Sequence, residues 1–366
     1  MSAASTSTSG KTQATGKRSH KFGKAVLWFI GICLFFEVAL RPFGYGSYVI
    51  YRPDEQLLWV PIPDQHKVTV VNHEPETISS QGFRYKETLS LQHPGVYRIF
   101  AFGDSVTMGW GVSDDSIYTA QLERLLNSQS CSGSKFQVIS AGVNAYPQVL
   151  TVRRLERVLQ DGYTPNVVVL AFSFNTGFDT LADLQGAAKE QFLKKVEWKS
   201  ILRRSALYNF TVEGLLRNWV YYRLRGRIML GTWDTAESLP NPSADHYIKE
   251  LQAAKQAADD HHAQLIFLLM GTKGEFHSTH PYQKAMQQFA GENGIPLVNM
   301  MDVVKNQNQD AVFLDHVHPT VAGDALIAEQ LASTIRGLGS YATACGISNN
   351  PAIAAAPTTA PTEIKQ

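Results

Sequence analysis

The stretch FGDSVTMG, residues 102–109, comes directly at the end of the largely apolar run VYRIFAF, residues 96–102. An apolar run of this length is typical of a strand that is buried on both faces of a parallel sheet. Gly103, Asp104 and Ser105 come where this strand has to end. Because Gly, Asp and Ser are also the ordinary residues of turns and helix N-caps, the tripeptide indicates either a plain connection or a reactive serine at a strand end.

Short apolar runs alternate with amphipathic patterns along the chain. The candidate strands are residues 97–102, 136–140, 166–172, 264–270 and 296–300. The candidate helices are residues 119–128, 149–162, 245–261, 281–294 and 320–336. This alternation predicts an α/β protein, a three-layer α/β/α sandwich around a parallel sheet of about five strands.

Composition and charge exclude several classes of protein. The chain has 366 residues, of which 44% are hydrophobic, so it can bury a large core. Its 33 basic and 32 acidic residues leave a net charge of +1, which argues against a nucleic-acid partner. Three cysteines, Cys33, Cys131 and Cys345, are too few for a disulfide framework or a zinc site. Whether Cys131 and Cys345 pair stays open.

Polar signals follow three of the predicted strands. Ser105 follows the first strand, Gly142 the second and Asn175 the third. Parallel strands place their carboxyl ends at one edge of the sheet, where α/β folds bind ligands. We therefore expect Ser105, Gly142 and Asn175 to lie at the same edge.

A fourth signal stands near the end of the predicted domain, in FLDHVHPT at residues 313–320. Asp315 and His318 are three residues apart, just before the last predicted helix. A serine nucleophile needs a base that takes its proton and an acid that holds this base in the right tautomer. This short loop supplies both groups, although a lone Asp-x-x-His motif more often only caps a turn.

Together these blocks resemble the SGNH/GDSL hydrolase family, in order and spacing, over about residues 95–340. The family's four blocks correspond to GDS at 103–105, Gly142 in SAGVNAYPQ, Asn175 in FSFNTGFD, and Asp315 and His318 in DHVHP. The sequence departs from the family in two places. GDSV stands for GDSL, and the usual Gly-x-Asn-Asp keeps only its asparagine, since Ser173 and Thr176 replace the flanking residues. A Gly-x-Ser-x-Gly elbow is missing around Ser105, which argues against the α/β-hydrolase fold.

The resemblance implies a flavodoxin-like sandwich and a serine esterase that works through an acyl-enzyme on Ser105. It makes His318, in preference to its neighbour His316, the base and Asp315 the orienting acid. Asp104 is expected to support the nucleophile loop. No cofactor and no metal are expected. The implied oxyanion hole consists of the backbone N–H groups of Ser105 and Gly142 and the side-chain amide of Asn175.

The expected substrate is an acyl ester, acetyl esters among them, of a glycan or a small molecule. Two alternatives stay open. An O-acyltransferase acting on a cell-envelope glycan needs the same triad and oxyanion hole. A non-catalytic carbohydrate-binding protein could use the same scaffold, although intact Ser105, Asp315 and His318 argue against it. The oligomeric state is not predicted.

The N-terminal region indicates a membrane anchor. Residues 1–24 are rich in Ser and Thr and carry only basic charges, and the apolar run AVLWFIGICLFFEVAL follows at 25–40. A helix of that length spans about 24 Å, less than the roughly 30 Å hydrocarbon core, so Lys24 and Arg41 would have to snorkel. A cleaved signal peptide and a buried soluble helix are the alternatives. The basic residues predict a cytoplasmic N-terminus and a periplasmic or extracellular catalytic domain, with membrane lipid around residues 25–40.

The remaining segments complete the expected domain organisation. Residues 41–94 are expected as an arm that packs on a domain over 95–340, and residues 341–366 have the composition of a disordered tail. Residues 177–245 are rich in Lys, Arg and aromatic residues. They predict a helical insertion that packs on the domain, or else a cap over the site that also rests on anionic lipid. The upstream stretch also resembles membrane-anchored bacterial members of the family, in Glu37 to Arg41, Tyr51-Arg52-Pro53-Asp54 and Gly82-Phe83-Arg84.

Overall fold

The structure is a computed structural model, and it describes residues 15–128, 131, 134–175, 184–216, 244–278 and 280–347. The N-terminal elements are α1 (Thr15–Ala39), a 3₁₀ turn (Arg41–Phe43), β1 (Tyr51–Asp54), β2 (Leu58–Pro61), β3 (Gln65–Val68) and β4 (Pro75–Ile78). The elements that follow are β5 (Val96–Phe102), α2 (Ser105–Met108), α3 (Tyr118–Asn127), β6 (Lys135–Ser140), α4 (Gln148–Gln160), β7 (Val167–Ala171), α5 (Gly186–Leu202), α6 (Ala206–Tyr208), a π-helical segment (Asn209–Leu216), α7 (Ala244–Asp260), β8 (Gln264–Leu269), α8 (Pro281–Asn293), β9 (Leu297–Asn299), α9 (Met300–Val304), α10 (Gln309–Val312), α11 (Val321–Arg336) and α12 (Gly339–Ala344).

The central sheet is parallel and has the strand order β6–β5–β7–β8–β9. β5 lies inside the sheet, with Ile99 paired to Val138 of β6 and to Val167 of β7. The five strands and five helices that the sequence predicts for the sandwich are present, with ends within two residues of the prediction. The predicted α/β/α architecture is therefore confirmed.

Alternate residues of β5 enter the two hydrophobic layers of the sandwich, as the period of a strand requires. Phe100 and Phe102 pack on one face, in a cluster that includes Leu155 of α4 and Leu251 of α7. Ile99 and Ala101 pack on the other face, in a cluster that holds side chains of α3 and α11. Because both faces are covered, the strands are largely apolar, and the loops at their carboxyl ends are left to carry polar groups.

Two antiparallel strand pairs, β1–β2 and β3–β4, lie in the region expected as an arm. The first pair lies beside the loop after β6, since the Trp59 indole N–H donates to the Asn144 carbonyl at 3.0 Å. The second pair lies beside the loop after α2, since the Asn72 amide donates to the Gly111 carbonyl at 2.8 Å. The arm thus contacts two loops at the carboxyl edge of the sheet.

α1 is 25 residues long and begins ten residues before the apolar run, so it extends about 37 Å. Within the described part of the chain, the segment Lys21–Phe43 is the one helix long and apolar enough to cross a membrane, with a mean hydropathy of 1.9. Its apolar side chains are exposed, Trp28 to 75%. This helix could be a membrane span or a signal sequence.

The predicted insertion is described in part, because residues 176–183 and 217–243 lie outside the described residues. Its helix α5 contacts β1 and β2. Phe192 and Leu193 on α5 pack against a hydrophobic cluster that includes Tyr146 and Leu150. One face of α5 is therefore fixed to the domain.

Helix α12 and the residues after it continue the folded domain to residue 347, beyond the end expected at 340. Tyr341 and Cys345 are buried, and Cys345 forms a disulfide with Cys131, which precedes β6. The pairing that the sequence left open is thus present. The rest of the expected tail, residues 348–366, lies outside the described residues.

Candidate active site

Ser105 stands at the carboxyl end of β5, as the first residue of the short helix α2. Asp104 caps this helix, because its Oδ1 atom accepts a hydrogen bond from the Val106 N–H at 3.0 Å. The helix ends after one turn at Gly109, whose φ of 77° is a left-handed conformation that suits glycine. The loop therefore turns sharply and holds Ser105, which is half-buried, at the edge of the sheet.

Ser105, His318 and Asp315 form one hydrogen-bonded chain. The Oγ atom of Ser105 is 2.8 Å from Nε2 of His318, and Nδ1 of His318 is 2.8 Å from Oδ2 of Asp315. The other carboxylate oxygen of Asp315 accepts the backbone N–H groups of Val317 and His318. The His318 carbonyl accepts the N–H of Leu314 at 2.8 Å, which closes the loop. The loop thus holds the Asp315 carboxylate and the His318 imidazole in fixed positions relative to Ser105.

The environment of Asp315 keeps it ionised. Burial raises the pKa of its carboxyl, but the hydrogen bond and the charge of His318, together with two backbone N–H groups, lower the pKa to about 2. An ionised Asp315 accepts a hydrogen bond from Nδ1 of His318 and so leaves the Nε2 lone pair for the Ser105 hydroxyl. This is the protonation state that a serine nucleophile needs.

The neighbouring histidine, His316, lies differently. Its side chain is exposed, and its backbone carbonyl accepts the N–H of Lys273 at 2.8 Å. The imidazole in hydrogen-bond contact with Ser105 belongs to His318. The geometry therefore favours His318 as the base.

The backbone N–H groups of Ser105 and Gly142 have no acceptor among the residues that the structure describes. Gly142 follows β6, and its neighbours Ala141 and Val143 donate to the carbonyls of Ala101 and Gly103 beside it. A side chain at position 142 would collide with α2, since a Cβ atom there would lie 2.5 Å from the Met108 nitrogen. Glycine thus allows the two loops to approach, and both N–H groups stay available to a negatively charged oxygen.

Asn175 follows β7 and is bonded to the other two loops. Its side-chain Nδ2 atom is 3.0 Å from Oδ2 of Asp104 and 3.2 Å from the carbonyl oxygen of Tyr146. An amide nitrogen has two hydrogens, and each has an acceptor here. Asn175 could therefore donate to a substrate oxygen only by giving up one of these contacts.

Asp104 connects the loops after β5 and β7. It is 1% exposed, and its Oδ2 atom also accepts the backbone N–H of Phe174 at 3.1 Å. The pKa of the Asp104 carboxyl is raised because the group is buried. Hydrogen bonds from the backbone N–H groups of Val106 and Phe174 and the charge of His318 lower this pKa and only partly offset the effect of burial. The contacts of Asp104 agree with the supporting position expected from the sequence.

Two residues at the site were not singled out from the sequence as site residues. The Trp110 ring lies against the His318 imidazole, with centroids 4.2 Å apart.

Arg84 is the second of these residues and is 2% exposed. Its guanidinium donates to Asp114 and, at 2.6 to 2.7 Å, to the backbone carbonyls of Met108, Gly109 and Val112. Arg84 thus holds the chain just after the nucleophile. Its place in the Gly-Phe-Arg stretch was the one signal that could have pointed to it.

A sandwich of this type with hydrogen-bonded serine, histidine and aspartate at the carboxyl edge of its sheet is an arrangement typical of serine hydrolases. The chain belongs to the GDSL-like lipase/acylhydrolase family, whose model matches residues 101–326. It is accordingly an ester hydrolase. The matched residues run from the end of β5 to the start of α11 and include all four sequence blocks.

Solved structures similar to the chain include a psychrotrophic esterase, EstA, from Pseudoalteromonas sp., at 15% identity and a TM-score of 0.39, over 66% of this chain and 97% of that one. A lipase/acylhydrolase from Enterococcus faecalis matches at 14% identity and a TM-score of 0.41, over 66% and 95%. An acetyl xylan esterase, AlAXEase, matches at 15% identity and a TM-score of 0.40, over 65% and 98%. A search of curated proteins finds no match.

Proposed function

We propose that the protein is a membrane-tethered serine esterase that cleaves acyl esters through a covalent acyl-enzyme on Ser105. The observation that carries this proposal is the continuous chain of two 2.8 Å contacts from Ser105 through His318 to Asp315. A serine hydroxyl is a weak nucleophile until a base takes its proton, and this arrangement supplies the base and its orienting acid. The family membership of the chain agrees with the same chemistry.

In the proposed mechanism, Nε2 of His318 accepts the hydroxyl proton while Oγ of Ser105 attacks the carbonyl carbon of the ester. The carbonyl oxygen becomes negatively charged and accepts the N–H groups of Ser105 and Gly142. The tetrahedral intermediate then collapses: the bond to the alcohol breaks, and the alcohol takes the proton from His318. A water molecule then gives a proton to Nε2 of His318 and attacks the carbonyl carbon of the acyl-enzyme. The bond to Oγ of Ser105 breaks, Oγ takes the proton back from His318, and the acid product leaves.

We propose Asn175 as the third donor to the oxyanion. The negatively charged oxygen of the intermediate is a stronger acceptor than the neutral carbonyl of Tyr146, which is 3.2 Å from the Asn175 nitrogen. The hydrogen now shared with Tyr146 would pass to the substrate, while the shorter contact with Asp104 keeps the side chain in place. The substrate class we propose is acyl esters of a glycan or small molecule, acetyl esters among them.

The proposed tether is α1, with the N-terminus in the cytoplasm and the catalytic domain outside it. The exposed apolar surface of α1 supports a lipid environment. The disulfide between Cys131 and Cys345 supports an exported domain, because disulfides persist in oxidising compartments. We also propose the predicted boundaries, which are residues 25–40 for the tether and residue 95 for the start of the domain. The end of the folded domain moves from residue 340 to residue 347.

The decisive experiment is hydrolysis of a panel of p-nitrophenyl esters of increasing chain length by the full chain in detergent. We expect Ser105→Ala and His318→Ala each to lower kcat/KM by at least about 10⁴-fold, and the double variant to be little worse, because triad residues act as a unit. His316→Ala is the matched control and should keep near-full activity. A fluorophosphonate should add one covalent label to the wild type and none to Ser105→Ala. Full activity of His318→Ala with loss in His316→Ala would contradict the assigned base.

A further inference from the structure

The end of α1 is fastened to the chain that follows α5. The carboxylate of Glu37, near the end of α1, accepts the Ser205 hydroxyl at 2.7 Å and the N–H groups of Ala206 and Leu207 at 3.0 and 3.1 Å. Arg41 pairs with the same carboxylate at 2.7 Å. Five polar groups therefore meet within one turn of the apolar helix, and the chain three to five residues after α5 is bonded directly to α1.

The last two turns of α5 expose a cluster of apolar side chains, which we call the α5 patch. Trp198, Ile201 and Leu202 form it, and they are 65%, 50% and 43% exposed. At about 100° per residue these three side chains share a face with Lys194 and Lys195, one turn earlier. Exposed apolar residues of a soluble domain are usually scattered singly, whereas these three are adjacent on one helix face.

The opposite face of α5 is already occupied by the domain. Phe192 and Leu193 pack toward Trp59 and Tyr146, and Lys189 pairs with Glu55 at 3.0 Å. The helix cannot bury the α5 patch by rotating, because that would expose Phe192 and Leu193. The patch therefore stays exposed on the part of the chain that the structure describes.

We propose that the α5 patch rests on the lipid bilayer that holds α1, with Trp198, Ile201 and Leu202 at the interface and the lysines toward anionic headgroups. This inference rests on the membrane tether proposed above. Two observations select lipid over another occupant: the turn that follows the patch is hydrogen-bonded to Glu37 near the end of the apolar helix, and Lys194 and Lys195 share the face of the patch. Tryptophan and lysine on one helix face are typical of membrane interfaces.

Docking of α5 also determines where the active site stands. On the domain side, α5 packs against Trp59, whose indole N–H donates to the Asn144 carbonyl, two residues after Gly142. One helix and one side chain thus separate the lipid surface from a loop of the candidate oxyanion hole. With α5 on the bilayer, the site is held close to the membrane at a distance set by α5. The ester substrates then have to lie near that surface.

Bromolipid quenching of a fluorophore tests this contact. In a Cys33→Ser background, a nitrobenzoxadiazole label is placed at Trp198→Cys or Ile201→Cys in the full chain. Each variant is reconstituted into vesicles of equal parts phosphatidylcholine and phosphatidylglycerol, with and without brominated phosphatidylcholine. Leu91→Cys, an exposed apolar position just before β5, is the matched control, and Phe29→Cys reports on α1.

We expect strong quenching at positions 29, 198 and 201 and none at position 91. Lys194→Glu combined with Lys195→Glu should reduce quenching at position 198 in anionic vesicles and leave it unchanged at position 29. Quenching at position 29 without quenching at positions 198 and 201 would overturn the contact of the α5 patch with lipid, whereas α1 would still be a membrane tether. Absence of quenching at 29 would remove the tether and the docking together, while Ser105 labelling would still test the esterase. A blue shift at 198 without bromine quenching would mean that a second copy covers the patch and would also overturn the proposal.

Discussion

The indole ring of Trp110 lies against the imidazole of His318, with ring centroids 4.2 Å apart and planes inclined by 33°. The backbone N–H of Trp110 also donates to the Ser105 carbonyl at 3.0 Å, so the indole is tied to the residue whose hydroxyl His318 contacts. An aromatic face next to a histidine limits rotation of the imidazole and attracts its protonated form. We infer that Trp110 positions His318, the proposed base.

We expect Trp110→Ala to lower kcat by about 2- to 12-fold with little change in KM, because ring contacts of this kind contribute about 0.5–1.5 kcal/mol. Trp110→Phe keeps a ring at this position and should restore most of the activity. Steady-state kinetics of both variants, with melting temperatures measured alongside, checks the prediction. A raised KM with unchanged kcat would mean that Trp110 contacts the substrate and does not position the base.

Much of the fold could be predicted because strand and helix periods are local properties. The run at 96–102 is apolar except for Arg98, and the sheet buries both of its faces. The meeting of Ser105, Asp315 and His318 could also be predicted, since two short motifs that are each common in turns are much more specific when they occur together in the order and spacing of a known family. Each of these predictions depended on residues close together in the chain.

Contacts between distant segments could not be read in the same way. Trp110 looks like any half-buried aromatic residue until the loop of His318 folds onto it. The engagement of Asn175 by Asp104 and Tyr146 depends on how three loops meet, and no spacing in the sequence encodes it. Likewise, the bonds from Glu37 to residues 205–207 join segments more than 160 positions apart.

The lowered pKa of Asp315 predicts a pH dependence of stability with a definite sign. The pKa of this carboxyl falls from an ordinary value of 3.8 to about 2 in the folded protein, so the unfolded chain binds its proton first as pH falls. The stability that ionised Asp315 contributes is therefore fully present above about pH 4 and is lost between about pH 4 and pH 2.

Asp315→Asn removes this contribution. The difference in free energy of unfolding between wild type and variant should shrink as pH falls through that window, as measured by chemical denaturation at a series of pH values. At neutral pH the variant should also lose about 10³- to 10⁴-fold in kcat, because the imidazole is no longer held in the right tautomer. Asp310→Asn, an exposed aspartate in α10, is the control for both measurements. A pH-independent difference in stability would contradict the lowered pKa.

The disulfide predicts the number of reactive thiols. Cys131 and Cys345 are paired, and Cys33 in α1 is free. Purified without reductant and then denatured, the chain should give one titratable thiol, and three after reduction. Replacing both paired cysteines by serine should lower the free energy of unfolding by about 2–5 kcal/mol, whereas Cys33→Ser should not. Three titratable thiols before reduction would mean that the disulfide is absent. One of the observations that support an exported domain would then be lost.

Asn175 is the proposed site residue whose contacts in the structure differ most from its expected use, since both of its amide hydrogens already have acceptors. If the oxyanion accepts one of these amide hydrogens, that hydrogen bond strengthens only as charge builds on the carbonyl oxygen of the substrate. Asn175→Ala should then lower kcat by about 10²- to 10³-fold and leave KM nearly unchanged. If Asn175 serves only to bridge Asp104 and Tyr146, its loss should instead loosen the loops after β5 and β7. Measuring kcat and melting temperature together on Asn175→Ala separates these outcomes, with Asn72→Ala, which removes a similar loop contact outside the triad, as the control. A normal kcat with a lowered melting temperature would leave an oxyanion hole of two donors, the N–H groups of Ser105 and Gly142.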